Sequence, residues 1–311
     1  MQYLTDNIKK SARELGFHKV GITAAKKPQK SEYLKEWLDN GFHGSMAWME
    51  RNKDYRMDIH KIFPEARSVI CVAHNYYTPL QHSTEKGFAK ISRYAWGEDY
   101  HKIMKKKLKQ LLNSIKKYLP EIKGRVCVDS APILEKLWAE QAGLGWQGKN
   151  TNLITRDFGS WVFLGELIVD VELEYDTPGK DYCGNCQACV DACPTNALLQ
   201  PYILDARRCL SYLTIEYWDK PIPDYLAKKM DNWVFGCDIC QEVCPWNRFQ
   251  KKTDEKRYLP QQSNIYSSLS KLAIMNDKDY KQRFKKSPVL RPGWRNFIRN
   301  INTVLKFINT F

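Results

Sequence analysis

The sequence predicts an α+β protein of three parts, and three observations support this class. Segments of helical periodicity alternate with strand-like apolar runs over residues 1–175. Eight of the ten cysteines then lie between Cys183 and Cys244, and residues 251–311 are basic and close with an amphipathic helical pattern. We therefore expect a layered α/β domain at 1–175, a cysteine-rich domain at 176–250 and a helical segment at 251–311.

The first predicted domain opens with a helix, KKSARELGF, followed by a strand, KVGITAA. A second helix, SEYLKEWLDNGFHG, ends at glycine, and ARSVICVAHNY is apolar enough for a strand buried on both faces. In KIMKKKLKQLLNSIKKYLPEIKG the apolar residues follow one helical face, opposite the lysines. RVCVDS predicts a strand ending near Asp129, EKLWAEQAG predicts a helix, and TNLITRDFGSWVFLGELIVDVEL predicts a hairpin.

Composition and charge exclude several classes of protein. An aromatic content of 13% is too high for a disordered chain, and the longest apolar stretches are too short to span a membrane. The amino terminus has no apolar signal-peptide core, so we expect a cytoplasmic protein without membrane contact. In that compartment thiols stay reduced, and clustered cysteines are then more typical of metal ligands than of disulfides.

The cysteine-rich part follows the turn-forming DTPGKD and contains two related motifs. CGNCQACVDACP at 183–194 has the C-x2-C-x2-C-x3-C-P spacing of bacterial ferredoxins, in which the fourth cysteine ligates a second cluster. The partner motif is CDICQEVCP at 237–245, with Cys209 standing apart. Cys71 and Cys127 lie alone in apolar runs and are expected to be buried hydrophobic residues.

These spacings predict two [4Fe–4S] clusters, since three thiolates from one tight loop reach three corners of a cubane and a remote thiolate reaches the fourth. The cross-over rule assigns Cys183, Cys186, Cys189 and Cys244 to the first set of ligands. It assigns Cys193, Cys209, Cys237 and Cys240 to the second set. Structural zinc is the alternative, because a single C-x2-C motif suits either metal. Two adjacent clusters would form an electron relay.

Beyond the cysteines, the chain resembles the epoxyqueuosine reductase family, iron–sulfur and cobalamin enzymes related in their core to reductive dehalogenases. The resemblance covers roughly residues 1–250. Six further motifs support it: LKEWLDNGFHGSMAWMERN at 34–52, RYAWGEDYHKIM at 93–104, VDSAPILEK at 128–136, AGLGWQGKNTNLI at 142–154, GSWVFLGEL at 159–167 and CLSYLTIE at 209–216.

The resemblance implies reduction of the epoxide of epoxyqueuosine at the tRNA wobble position, which gives queuosine and completes its biosynthesis. It also implies base-off cobalamin bound by the 1–175 domain, and Asp129 as proton donor. A donor near neutral pH needs burial or a neighbouring negative charge to raise its pKa. Without the resemblance, Asp129 would be interpreted as the cap of a helix beginning near Pro132. His101 is expected to form local hydrogen bonds rather than to ligate cobalt.

By position in the family motifs, six residues are expected to contact the corrin: Arg51, Tyr94, Ala95, Lys149, Asn150 and Ser211. For each of them, ordinary surface or core packing is the alternative. The glycine-rich AGLGWQGKN matches neither of the common nucleotide-binding spacings, so a phosphate-binding loop is not predicted.

The positive charge is concentrated at the carboxyl end. Residues 251–311 hold 14 Lys and Arg against 4 Asp and Glu, a net +10 of the total +14. A tRNA ligand would explain this, because cations that neutralise phosphates release counterions. Tyr212, Tyr217 and Trp218 are candidates for stacking on an unstacked base. Many family members continue into HEAT-like repeats, and RPGWRNFIRNI resembles the beginning of that array.

Two functions of different kinds remain open at this point. The first is a monomeric epoxyqueuosine reductase that acts on tRNA and takes electrons from a low-potential donor of unknown identity. The second is a dehalogenase-like reductase or electron-transfer protein that serves a small molecule or a partner. The basic C-terminal segment and CLSYLTIE favour the first, and the lack of a twin-arginine export motif counts against a respiratory dehalogenase.

Overall fold

A computed structural model describes residues 2–308, except for the side chains of Gln29, Gln262 and Ser263. The described residues form fourteen α-helices and eleven strands. The helices are α1 Gln2–Glu14, α2 Glu32–Asp39, α3 Ala47–Arg51, α4 Lys53–Met57, α5 Tyr100–Lys116, α6 Glu135–Gln141, α7 Ala188–Asp191, α8 Leu210–Ile215, α9 Asp224–Ala227, α10 Ile239–Glu242, α11 Gln262–Ile265, α12 Leu269–Ala273, α13 Asp277–Arg283 and α14 Gly293–Phe307.

The strands are mostly short, and only two reach eight residues. They are β1 Lys19–Ala24, β2 Ser68–Asn75, β3 Phe88–Ile91, β4 Gly124–Cys127, β5 Trp146–Gln147, β6 Leu153–Ile154, β7 Val162–Val169, β8 Leu198–Gln200, β9 Ile203–Leu204, β10 Trp233–Phe235 and β11 Ser267–Ser268. Between residues 2 and 308, no helix combines the length and the apolar character that crossing a bilayer requires.

The main sheet has the order β1-β2-β7-β4, and every neighbouring pair is antiparallel. All eight residues of β2 are buried, which fits its nearly continuous apolar sequence. Ile70 and Val72 pack with α1 and α5 on one face, whereas Val69 and Cys71 pack with α6 on the other. The sheet is therefore covered on both faces, as the predicted layered domain requires.

One prediction about this sheet is wrong. The segment 151–173 does not form a hairpin, because β7 pairs with β2 and β4, while β6 pairs with β5. Thr155 and Gly159 form only an isolated bridge between the two runs. The apolar pattern located both strands, but it could not choose their partners, since every strand of a sheet buried on both faces offers similar apolar side chains.

A second core joins the C-terminal segment to the cysteine-rich region. Its members come from β3, α8, β10, α12 and α14, and include the buried Phe235, Phe297 and Ile301. Asn300 of α14 is fully buried and donates to the backbone oxygens of Thr214 and Val234, at 2.8 and 2.9 Å. Residues of the predicted 251–311 segment thus share one core with residues of the predicted 176–250 domain. The last residues of the predicted amphipathic unit, 309–311, lie outside the described range.

Candidate active site

A cavity of about 980 Å³ lies where the main sheet, the cysteine-rich region and the C-terminal segment meet. Its wall includes Phe163 of β7, Cys209 and Cys237 of the cysteine-rich region, and Lys286 and Arg291 of the C-terminal segment. Small-molecule sites usually enclose about 300–1,000 Å³. The cavity therefore has room for a large ligand, with the predicted cluster ligands on its wall.

Asp129 is presented to this cavity by a turn between strand and helix. β4 ends at Cys127, and Asp129 has a φ of +46°, a left-handed conformation that is strained for a residue with a side chain. Its backbone N–H donates to the carboxylate of Glu135, the first residue of α6. Leu134 is the cap residue of α6, and no side chain caps it. The carboxylate of Asp129 therefore does not cap α6, and its side chain lines the cavity.

His101 connects two carboxylates beside the cavity. Its Nε2 lies 2.8 Å from Asp129 Oδ2, and its Nδ1 lies 2.7 Å from Asp99 Oδ1. Tyr100 stacks on the His101 ring at 4.2 Å and on Phe163 at 4.2 Å. Because both ring nitrogens face carboxylate oxygens, the doubly protonated imidazolium is the form that satisfies both contacts. The local hydrogen bonds expected of His101 are confirmed.

The charges of this pair shift both pKa values. Burial would lower the pKa of His101, but its hydrogen bonds to Asp129 and Asp99 raise it to about 9. Burial would raise the pKa of Asp129, but the hydrogen bond and the charge of His101 outweigh it and the pKa is lowered. At neutral pH the shared proton therefore resides on His101, next to an ionised Asp129. The raised pKa that a donor near neutral pH would need is thus not found at Asp129, because the positive charge of His101 opposes it.

We expect His101→Gln to move the alkaline limit of activity to lower pH. In the unsubstituted chain the pair keeps its proton up to a pH of about 9 and loses it above that value. With glutamine, the proton must reside on Asp129, whose pKa is then set by burial, which raises it, against the charge of Arg291 and the hydrogen bond from Tyr100, which lower it. The single-turnover rate should therefore start to fall at least about two pH units lower, since the proton-holding group changes from histidine to carboxyl.

The control is His60→Gln, at a histidine outside the cavity that bonds to the backbone oxygen of Ala66. This variant should show the same dependence of the single-turnover rate on pH as the unsubstituted chain. If His101→Gln also shows that dependence, the proton is held elsewhere.

Two further carboxyl groups lie behind Asp129. Burial, followed by the charge of Asp129, raises the pKa of Glu135 to about 8. Glu166 is fully buried, and neither of its oxygens has a hydrogen-bond partner within residues 2–308. Burial, followed by the charge of Glu135, raises the pKa of Glu166 well above its usual value. Both side chains therefore hold protons near neutral pH.

The first predicted set of cysteines is brought together by the loop at 183–189 and the end of α10. Burial raises the pKa of the Cys189 thiol to about 11, and the charges of Cys244, Cys183 and Cys186 add to this shift. Gly184 has a φ of +51°, which only glycine adopts without strain, and it turns the chain between the first two cysteines. These four thiols are thus mutual neighbours.

The second predicted set is also assembled. Burial raises the pKa of the Cys237 thiol, and the charges of Cys209 and Cys240 contribute. Burial likewise raises the pKa of Cys240, and the charges of Cys209, Cys193 and Cys189 raise it further, in that order of size. The last contribution comes from the first set, so the two sets are adjacent. This adjacency is what an electron relay between two clusters requires.

The spacing of the thiols disfavours zinc. Four sulfurs bound at 2.3 Å to one tetrahedral ion lie about 3.8 Å from each other. Within residues 2–308, the groups of three potential metal ligands whose atoms all lie within 4.8 Å of one another contain histidine and carboxylate, and none contains a cysteine. The thiols are therefore spread more widely than a single ion permits.

The two sets differ in their relation to the cavity. All four cysteines of the second set line it: Cys193, Cys209, Cys237 and Cys240. No cysteine of the first set lines it, and Cys186 is the one cluster cysteine classed as exposed to solvent. The second set is therefore proximal to the cavity, and the first set is distal.

The six residues predicted to contact a corrin separate into two groups. Tyr94, Asn150 and Ser211 line the cavity. Arg51, Ala95 and Lys149 do not: Arg51 is exposed at the end of α3, and Ala95 is fully buried.

Lys149 and Asn150 both bind the cysteine loops. The Lys149 ammonium donates to the backbone oxygens of Gly184 and Cys186, at 2.6 and 2.9 Å. Asn150 Nδ2 donates to the backbone oxygen of Cys240 at 3.1 Å. These two side chains attach the loops of both cysteine sets to the AGLGWQGKN segment.

The three predicted stacking residues lie in or after α8. Tyr212 lines the cavity but is only 6% exposed, and its hydroxyl accepts from the Ser45 backbone N–H at 2.7 Å. Tyr217 lies under the Arg299 guanidinium, 5.8 Å from it. Trp218 is 45% exposed, and its indole N–H donates to Ile215. Trp218 thus has the most accessible ring of the three.

Sequence reasoning missed several charged residues on the cavity wall, among them Arg291 and Lys136. Arg291 forms an ion pair with Glu216, with 2.5 Å between Nε and Oε1, and its charge also contributes to the lowered pKa of Asp129. Lys136 also lines the cavity and donates to the backbone oxygen of Thr151 at 2.8 Å. Arg291 lies within the basic C-terminal pattern, but nothing in its local sequence distinguishes it from the neighbouring cations.

Comparisons with known proteins identify the class and then the family. Residues 182–247 match the family model of a 4Fe-4S double cluster binding domain. The chain is accordingly an iron–sulfur oxidoreductase, with one set of cluster ligands next to a large cavity. Residues 56–130 match the model described as epoxyqueuosine reductase QueG, DUF1730.

Full-length relatives agree with this match. An epoxyqueuosine reductase of Cyclobacterium marinum is 46% identical over 304 residues, 96% of this chain and 96% of that protein. One of Synechocystis is 44% identical over 271 residues, 87% of this chain and 93% of that protein. The chain belongs to the epoxyqueuosine reductase family.

Solved structures agree with the fold. An epoxyqueuosine reductase solved with an epoxyqueuosine-modified tRNA-Tyr stem loop matches with a TM-score of 0.91 and 28% identity, over 98% of this chain and 82% of that one. The enzyme from Bacillus subtilis, solved with its catalytic aspartate loop swung out of the active site, matches with a TM-score of 0.90, 27% identity and the same coverage. The predicted α+β class is confirmed.

Proposed function

We propose that this protein reduces the epoxide of epoxyqueuosine in tRNA to the cyclopentene of queuosine. The observation that carries the proposal is one cavity with four cluster cysteines and the Asp129–His101 pair on its wall. Removal of an epoxide oxygen as water consumes two electrons and two protons. The cavity brings the source of each to the same space.

Cobalamin is the cofactor we propose for the cavity. Its volume is at the upper end for ligand sites, as a corrin requires, and its wall mixes apolar groups such as Trp48 and Leu164 with polar ones. Tyr94, Asn150 and Ser211 would hold the ring and its amide groups, next to the proximal cysteines. When bound, the cofactor supplies a cobalt centre that accepts electrons singly and acts on a substrate carbon.

Asp129 and His101 are proposed to supply one proton to the leaving oxygen. The carboxylate faces the cavity, and the imidazolium behind it holds the proton at neutral pH. Transfer from His101 through Asp129 needs only the 2.8 Å hydrogen bond between them. A solved relative with a catalytic aspartate loop supports an aspartate on a turn in this role. The charge of Asp129 adds to burial in raising the pKa of Glu135 to about 8, so a second protonated carboxyl lies beside the pair and accepts from the Asp129 backbone N–H.

The C-terminal segment is proposed to bind the tRNA. Lys286 extends its net positive charge to the cavity wall, where a flipped base would enter, and Arg291 lies beside it in its ion pair with Glu216. The relative solved with a modified tRNA stem loop supports such a substrate. We propose that the protein acts in the cytoplasm, as a tRNA substrate favours, and that it acts there as a monomer.

The proposal is tested by anaerobic reconstitution with iron, sulfide and cobalamin, followed by reaction with an epoxyqueuosine-containing tRNA and a low-potential reductant. Nucleoside analysis should show queuosine in place of epoxyqueuosine. Omission of cobalamin should abolish the product. Unchanged epoxyqueuosine in the presence of intact clusters and bound cobalamin would contradict the proposal.

We expect Trp218→Ala to weaken tRNA binding. Stacking of a base on an aromatic ring contributes about 1–3 kcal/mol, so the KM for the tRNA should rise about fivefold or more while kcat changes little. Tyr3→Ala is the matched control, because Tyr3 is 77% exposed on α1, away from the cavity wall. Equal KM values for Trp218→Ala and the unsubstituted chain would exclude Trp218 from the tRNA interface.

A further inference from the structure

The division of the cysteines into a proximal and a distal set gives the electron relay a direction. All four proximal cysteines line the cavity, and none of the distal ones does. Electrons from outside therefore enter at the distal set, Cys183, Cys186, Cys189 and Cys244. This inference rests on the proposed function only in that electrons must reach the cavity from an external donor.

An aromatic collar surrounds the distal set. Trp146 lies 5.2 Å from Tyr182 and 5.0 Å from Trp246, between ring centroids, and Trp246 lies 5.6 Å from Phe249. Trp146 Nε1 donates to Cys183 Sγ at 3.5 Å. Tyr182 and Phe249 are each 42% exposed, and residues 184–187 of the intervening loop are exposed as well. We call this surface, formed by Tyr182, residues 184–187, Trp246 and Phe249, the distal face.

Three cations border the distal face. Arg156 lies 5.3 Å above the Tyr182 ring, and Arg248 lies 4.7 Å above the Phe249 ring. Lys251 follows Phe249 by two residues and lies 5.5 Å above the ring of Phe158. None of the three forms an ion pair with another of the residues 2–308.

The nearby acids are already engaged. Asp157 forms an ion pair with Lys19 at 2.7 Å, and Asp181 accepts from the Cys183 backbone N–H and from the Tyr202 hydroxyl. The ion pair with Lys19 balances Asp157, whereas the neutral donors to Asp181 leave its charge in place. Three cations outside ion pairs therefore stand against one carboxylate, and the border of the distal face is positively charged on balance.

We propose that the distal face is the docking site of an acidic, low-potential, one-electron carrier protein with a flavin or iron–sulfur group. Negative charges on such a carrier complement Arg156, Arg248 and Lys251, and the exposed rings form an apolar centre within the charged border. In each encounter the carrier loses one electron, and the distal cluster gains that electron. Two encounters supply the two electrons consumed per epoxide.

The same surface chemistry could attract RNA, and the position of the face argues against it. The base of the tRNA has to enter the cavity, whose wall contains Lys286 and Arg291 but no residue of the distal face. Transient electron-transfer complexes use small interfaces, below about 1,200 Å². A compact patch over one cluster is sufficient for such a complex.

The test is the rate of cluster reduction by a photoreduced acidic flavodoxin, followed by stopped-flow absorbance without tRNA. For the unsubstituted chain, the second-order rate constant should fall at least about tenfold between 50 and 500 mM salt, because the attraction is electrostatic. The double variant Arg156→Glu/Arg248→Glu should lower the rate constant at least about tenfold at low salt and remove its salt dependence. Lys109→Glu/Lys116→Glu, on the exposed side of α5, makes the same change in net charge and should behave as the unsubstituted chain.

Two further readouts keep the outcomes separate. Iron content should be equal in all three proteins, which shows that the distal cluster is intact. If Arg156→Glu/Arg248→Glu has the full iron content and is reduced at an unchanged rate, the proposal is overturned. Loss of tRNA stem-loop binding in Arg156→Glu/Arg248→Glu, with an unchanged reduction rate, would assign the face to RNA and also overturn it. The assay contains no tRNA substrate. Its result therefore stands even if the protein fails to reduce epoxyqueuosine, and the two proposals are tested separately.

Discussion

Asp129→Asn is expected to lower the single-turnover rate of epoxide reduction at least about a hundredfold, since positioned general acids contribute about 10²–10⁴-fold. Asparagine keeps the size of the side chain but cannot carry a proton. It also removes the negative charge that raises the pKa of His101 to about 9, so that His101 loses part of its proton at neutral pH. One substitution thus removes both the final donor and the charge that keeps its supply protonated.

The measurement is the rate of queuosine formation after epoxyqueuosine-containing tRNA is mixed with the reduced, cobalamin-loaded protein, with the protein in excess over the tRNA. Iron and cobalamin contents should equal those of the unsubstituted chain, because Asp129 holds neither group. Asp39→Asn serves as the matched control, at an exposed aspartate at the end of α2, and should retain the full rate. An Asp129→Asn rate within about threefold of the control would show that another group protonates the leaving oxygen.

The protonation of this site follows from contacts that a sequence does not display. The motif around Asp129 indicated a donor and the need for a raised pKa. The structure instead places the proton on His101, 28 positions earlier in the chain, and lowers the pKa of Asp129. A partner at that separation depends on how α5 packs against β7, and not on any local pattern.

The cysteines were easier to predict than the rest of the site for a physical reason. Cluster ligands lie on tight loops, so their spacing in sequence directly reflects their spacing in space. The pairing of β7 and the shared core of the 251–311 residues depend on long-range packing instead. Arg291 shows the difference, because its ion pair with Glu216 spans 75 positions and brings the C-terminal segment to the cavity wall.

The two cysteine sets also explain why a basic protein of this size can combine a tRNA substrate with electron transfer. The positive charge near the cavity lies beside the proximal cysteine set, whereas the positive border of the distal face lies beside the distal set. A bulky polyanion at the cavity therefore does not have to leave before an electron carrier binds. Both electrons can reach the cavity while the substrate base remains in place.

Cys240→Ala is expected to abolish turnover and to reduce the iron content from about eight to about four per chain, because each cubane is held by four thiolates and alanine offers no ligand in place of the lost one. Cys240 belongs to the proximal set, so its loss interrupts the relay next to the cavity while the distal cluster can remain. Cys71→Ala is the matched control, because Cys71 is buried in β2 among apolar residues and belongs to neither set. It should keep about eight irons and its activity, with at most a modest loss of stability. Eight irons in Cys240→Ala, or the loss of a cluster in Cys71→Ala, would contradict the assignment of ligands. Circular dichroism of both variants distinguishes cluster loss from unfolding.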